Sequence, residues 1–148
     1  MEISIASNLL NDLKLPAQES LEADDWPCLE SLASRVAIAT QLKVLSQRYN
    51  QSLTQINLDS EISQALKQLQ ALQQGDGGFA AWPGLTRSDP FVTPYVASVL
   101  ARAQAAGVPM EAGLLSRSKT YLNQLLADPG QYDFCQDASC KDSSDSKP

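Results

Sequence analysis

The sequence predicts an all-α fold, and three observations carry that prediction. Apolar residues recur in steps of three and four along most of the chain. No segment alternates convincingly with period two, and Gly or Pro stands where the helical runs must stop. Linkers between the runs are short, which favours antiparallel neighbouring helices, about four to five of them.

A weak pattern over residues 3–13 predicts a short first helix. The stretch "DDWPCLESLASR" at 24–35 then places Cys28 directly before a long helix, whose apolar stripe is Leu29, Leu32, Val36, Ala39, Leu42, Leu45 and Tyr49. The next helix carries Leu58, Ile62, Ala65, Leu66, Leu69 and Leu72, with Asn57 or Asp59 as N-cap and Gly75 just past its end. A further helix spans about Pro90 to Ala106, capped by Ser88 or Asp89, with Pro90 in the first helical position and Gly107 closing it. The last uses Leu114, Leu115, Tyr121, Leu122, Leu125 and Leu126 and stops at Asp128-Pro129-Gly130. The helices after Cys28 and after Pro90 are rich in alanine on several faces, which suits helices surrounded by other helices. So few helices cannot surround one another, and the pattern reads as part of a larger helical assembly.

At 148 residues and 43% apolar content the chain has room for one ordinary domain with a core. The net charge of -6 is uneven: residues 1–34 hold seven carboxylates and one lysine, while the remainder balances. No basic stripe exists to displace counterions from a phosphate backbone, which argues against a nucleic-acid partner. No run approaches the roughly 18 apolar residues of a membrane span. This segment therefore offers no membrane contact, and it shows neither signal-peptide nor lipid-anchor pattern.

The loop "QQGDGGFAAWPGLTRSDPFVTPYV" concentrates Gly75, Gly77 and Gly78 ahead of Phe79 and Trp82. It reads as structural: glycines that turn the chain, then two aromatic rings buried against helix ends. A phosphate cradle is the sharper alternative, but no lysine follows the glycines, no strand precedes them, and Asp76 has the wrong sign. The loop carboxylates Asp76 and Asp89 are the candidates for glycosidase-like acid–base chemistry, and nothing in the sequence fixes their separation. With no histidine and three cysteines, zinc and other metals lack a ligand set, and no cofactor is implied.

"GDGGFAAWPG…SDPFVTPYVASVLARAQAAGVPM" resembles the thioester-containing helical domain of the bacterial alpha-2-macroglobulin family. The resemblance implies a partial α/α toroid of antiparallel hairpins, in which Gly-Asp-Gly-Gly-Phe loops join successive helices. A weaker likeness is to the prenyltransferase and terpenoid cyclase group, which shares the toroid. The segment "WPCLESLASR" is similar to the family's thioester motif, Cys-Leu-Glu-Gln with a Ser-Arg pair further on. Cys28, Leu29, Glu30, Ser34 and Arg35 match it position by position, and the fourth motif position is Ser31. In the family the glutamine side chain there is the acyl donor of an internal thioester that traps an attacking amine or hydroxyl. A serine has no carbonyl carbon for the sulfur to attack, so the expectation is a degenerate site at Cys28 and Ser31. Glu30 does not substitute, because side chains two apart on a helix do not face each other. A free, nucleophilic Cys28 is also disfavoured: no histidine is available as base, and Asp24 and Asp25 oppose a thiolate. The simpler reading is a small apolar residue at a packed site.

Cys135 and Cys140 in "CQDASC" fit a local disulfide if the segment turns back on itself in an oxidising compartment. The organisation expected is a partial macroglobulin helical domain over 1–134 and a polar C-terminal tail over 135–148, truncated or frayed. Three functions compete. The resemblance implies part of a protease inhibitor, an endopeptidase trap without its covalent arm, in the periplasm or cell envelope. Its partners would be proteases and the neighbouring macroglobulin domains of a longer chain. The alternative is a scaffold or interaction domain without inhibitory activity. An α/α-toroid enzyme is the remote third reading, and no catalytic residue is assigned.

Overall fold

The structure, a computed structural model, describes residues 12, 14–22 and 27–134. It is all helical, with α1 (Lys14–Glu22), α2 (Leu29–Tyr49), α3 (Leu58–Leu72), α4 (Val92–Ala105) and α5 (Leu114–Ala127), followed by a 3-10 turn at Pro129–Gln131. Among the described residues there are no strands, only isolated bridges between Gln73 and Phe79 and between Ala80 and Ser88. The helix expected over 3–13 lies almost wholly outside the described residues. The observed α1 was not expected; it holds Pro16 in its first turn and has little amphipathic pattern to read.

Local chemistry sets the helix ends. Asn57 caps α3, its Oδ1 accepting from the Ser60 amide at 3.1 Å, while Asp59 goes instead to Lys43. Asp89 rather than Ser88 holds the start of α4. Its Oδ1 accepts from the amides of Phe91 and Val92 at 2.8 Å each. The helix begins at Val92, leaving Pro90 outside it. Gly107 closes α4 with φ at +77°, and the Val108 amide reaches back to Ala103 O at 3.0 Å, a Schellman arrangement. Asn50 ends α2 in the left-handed region at φ 49°, which its short polar side chain tolerates better than a branched one.

The ion pairs give the sense of packing. Arg35 pairs with Glu61 at 3.0 Å and Lys43 with Asp59, so rising numbers on α2 meet falling numbers on α3: the two are antiparallel. Between α2 and α4 the order is the same on both helices. Ser34 Oγ lies 3.1 Å from Tyr95 Oη, and a cleft further along is lined by Ala37 and Thr40 from one side and Val99 and Ala103 from the other. These two helices run parallel. α2 packs against α1, α3 and α4, and α4 against α5. The core runs through Leu29, Leu32, Val36, Leu69, Phe79 and Leu100, none more than 2% exposed. Each such side chain contributes about 1.5–3 kcal/mol by leaving water.

Candidate functional site

Two segments distant in sequence meet at the start of α2. Cys28 is the N-cap residue in an extended conformation, φ -78° and ψ 151°, and its carbonyl accepts the Leu32 amide at 3.1 Å. Its side chain makes no cap bond, and the free thiol is half-buried. Ser31 stands one helical turn on, half-buried, while Glu30 is exposed to solvent. The first four amides of a helix have no partner within it. Here the Leu29 amide donates to Ala81 O at 2.9 Å, so the glycine loop supplies one of the missing acceptors.

The loop consumes its own polar groups. Asp76 Oδ1 accepts from the Gly78 amide at 2.9 Å and the Ser88 hydroxyl at 2.6 Å. The Gly77 amide donates to Gln74 O, the Phe79 amide to Thr93 Oγ1, and the Ala80 amide to Leu72 O. The amides of Gly77, Gly78, Phe79 and Ala80 are therefore occupied and not free to cradle a phosphate. Asp89 Oδ1 is likewise taken up by the amides at the start of α4. Among the described residues no cluster of three His, Cys, Asp or Glu residues is arranged to hold a metal.

The glycines differ in what they do. Gly77 sits at φ +91°, and a Cβ there would lie 2.3 Å from Arg117 O. Gly78 allows a close approach: its Cβ would meet Ser88 Cβ at 2.6 Å and Tyr121 Cε2 at 2.7 Å. Gly75, expected to turn the chain, has no positive φ, and a Cβ on it would touch nothing within 4 Å. Of the two aromatic rings expected to be buried, Phe79 is fully buried, whereas Trp82 is 41% exposed. Trp82 lies in the bend after Ala80, whose amide is the last in this loop to reach back to α3. Cys135 and Cys140, with their expected disulfide, lie outside the described residues, as do Asp24 and Asp25.

Several residues that hold this site were not anticipated. Gln73, at the C-cap of α3, donates through Nε2 to Gly77 O, Leu114 O and Ser118 Oγ, and accepts the Arg117 Nε at 2.8 Å. It ties the loop to α5. Tyr121 is fully buried against Gly78, its ring edge-on to Tyr132 with centroids 5.4 Å apart. Its hydroxyl has no hydrogen-bond partner, and burial, reinforced by the nearby charge of Asp76, pushes its pKa up to about 12. The sequence signalled Tyr121 only as one apolar member of a helical stripe.

Packed helices, with a glycine-aromatic loop bonded to the start of the helix that follows Cys28, define the class: an all-α unit. No family model matches the chain. It is 42% identical over 142 residues to an alpha-2-macroglobulin homolog of Nostoc sp., covering 95% of this chain and 8% of that protein. An alpha-2-macroglobulin homolog of Yersinia pestis is 31% identical over 78 residues, 53% of this chain and 4% of that one. The fold matches native alpha-2-macroglobulin from Escherichia coli, in a crystal structure spanning domain MG7 to the C-terminus. That match has a TM-score of 0.66 and 23% identity, over 80% of this chain and 19% of that one. Salmonella alpha-2-macroglobulin reacted with methylamine gives the same TM-score at 22% identity, over 84% of this chain and 8% of that one. The chain is a homologue of a segment of the bacterial alpha-2-macroglobulins, and it spans less than a tenth of the length of these curated relatives.

Proposed function

We propose that the chain is part of the thioester-type helical domain of a macroglobulin-like protease trap, one that acts without a covalent arm. The observation that carries this reading is the pairing of Cys28 at the start of α2 with Ser31 one turn on, within a chain homologous to alpha-2-macroglobulin. A thioester needs an acyl carbon within reach of the sulfur, and a serine hydroxymethyl has none. On this reading residues 1–134 are the helical domain, a partial α/α toroid, and 135–148 a polar tail. The role is inhibitory rather than enzymatic, in the periplasm or cell envelope. Neighbouring macroglobulin domains of a longer chain complete the assembly, and proteases are the targets. The exposed Trp82, Leu85 and Phe91 favour a second reading, in which the domain serves only as a packing surface for those neighbours.

Methylamine tests the first reading. Native protein incubated with it should show no gain in intact mass and no new free thiol. Incorporation of methylamine together with one new thiol would show that an acyl bond exists and that the reading fails.

A further inference from the structure

We propose that Asp76–Gly77 is an isoaspartate-forming modification site, held closed by the folded loop and released when that loop opens. It is the one Asp-Gly pair in the sequence, and glycine leaves the amide that follows Asp76 unhindered. In the reaction the Gly77 amide nitrogen attacks the Asp76 carboxyl carbon in its acid form. A new N–C bond forms, and the amide proton leaves with the carboxyl hydroxyl as water, giving a five-membered imide. Water then re-enters at either carbonyl. Addition at the side-chain carbonyl restores Asp76. Addition at the main-chain carbonyl breaks the original peptide bond and leaves the chain running through the side chain. Water is the only co-reactant, and Asp76 is exposed to it.

The folded loop opposes ring closure in two ways. The Gly77 amide donates to Gln74 O at 3.0 Å, closing a four-residue turn. Neither Gly75 nor Asp76 has a positive φ, so the turn is type I, with ψ about 0° at Asp76. Ring closure needs Cβ eclipsed with the Gly77 nitrogen about the Cα–C bond, which lies far from that ψ. Asp76 Oδ1 is also held by the Gly78 amide at 2.9 Å and the Ser88 hydroxyl at 2.6 Å. Reaction therefore waits for local opening. Once isomerised, the backbone is one carbon longer and the carboxylate has moved. The Gly78 amide and the Ser88 hydroxyl lose their acceptor. Gly77 has little room to shift in response, since even a Cβ there would stand 2.3 Å from Arg117 O. The loop that meets the Leu29 amide through Ala81 no longer fits its place, and the opening becomes irreversible.

The test incubates the full native chain at neutral pH and physiological temperature beside the synthetic peptide of residues 73–82. Peptide mapping with electron-transfer fragmentation, which tells isoaspartate from aspartate, gives the rate at position 76 in each. The native chain should isomerise at least about a hundredfold more slowly than the peptide, because two bonds to a carboxylate must open first. In guanidinium chloride beyond the unfolding midpoint the chain should match the peptide in the same solvent. Ser88→Ala, which removes one of the two bonds, should speed the native reaction about tenfold. Isomerised chain, separated from the parent, should melt lower and exchange its Leu29 amide hydrogen faster. Equal rates in native chain and peptide, or no isoaspartate in the unfolded chain, overturn the proposal. So does a folded Ser88→Ala variant no faster than the parent, or an isomerised chain that melts like it. The native, unfolded and peptide rates need no variant, so the test stands even if Ser88→Ala fails to fold.

Discussion

The amide of Leu29 and the carbonyl of Ala81 are 2.9 Å apart, and through that bond the glycine loop caps the helix that follows Cys28. Loop and helix start are therefore one structural unit, although more than fifty positions separate them.

The three loop glycines should separate cleanly under alanine substitution. We predict that Gly77→Ala costs more than about 1 kcal/mol, because a positive φ and a clash with the Arg117 backbone coincide. Gly78→Ala should cost a similar amount through its collision with Ser88 and Tyr121. Gly75→Ala should melt like the parent or slightly above it, since no strain or contact opposes the new methyl group. Thermal melts of the three variants decide this, and a Gly75 variant as damaged as the others would refute the distinction.

The two loop aromatics should differ in the same way. Phe79 is enclosed, and Phe79→Ala should cost about 3–5 kcal/mol. Trp82 keeps 41% of its surface, so Trp82→Ala should cost well under half of that, about 1 kcal/mol. Denaturant unfolding gives both values. Soluble quenchers should reach the Trp82 fluorescence in the Trp26→Phe background, and a fully protected Trp82 would contradict its position here.

Tyr121 gives a pH prediction. Its folded pKa of about 12 stands above the ordinary tyrosine value of 10.0. Below the unfolded value both states keep the proton, and the contribution to stability is constant. Between the two values the unfolded chain ionises while the native one does not, so stability falls as pH rises through that window. Tyr121→Phe should flatten this alkaline decline. At neutral pH it should be neutral or stabilising by up to about 1 kcal/mol, because it removes a buried hydroxyl that lacks a partner. A large neutral-pH loss in urea unfolding would show that the hydroxyl is bonded after all.

Exposed apolar side chains predict behaviour in solution. Leu85, Phe91 and Leu126 are each more than half exposed, and Tyr95 and Trp82 add to the surface. We predict concentration-dependent association of the isolated chain in analytical ultracentrifugation, reduced in a Leu85→Ser, Phe91→Ser double variant. A monomer at every concentration, with no dye binding, would mark it as a self-contained bundle.

Helix positions were legible where burial and periodicity coincide. The stripe from Leu58 to Leu72 is the clearest case: one face buried, the other solvated, Asn57 ahead of it as cap. α1 was not legible, because its helical pattern is weak and Pro16 obscures its start. In the loop, the sequence exposed the need for glycine but not its division of labour. Gly77 answers to backbone φ and Gly78 to the proximity of α5, and only tertiary placement tells them from Gly75. Trp82 differs from Phe79 for a related reason: bulk marks a residue that gains from burial, while tertiary placement decides whether burial is offered. Thr93, buried beside Phe79, and Gln73 escaped notice because a polar residue near a helix end reads as solvated unless its partners are known.

The central place of α2 has a consequence for synthesis. This helix emerges before α3 and α4, yet it packs against both. Ser34 meets Tyr95 only 61 residues later. At ribosomal rates of about 5–20 residues per second, that is roughly 3–12 s during which one flank of α2 waits uncovered. The small side chains along that flank, Ala33 and Ala37, offer little for a nascent neighbour to seize in the interval.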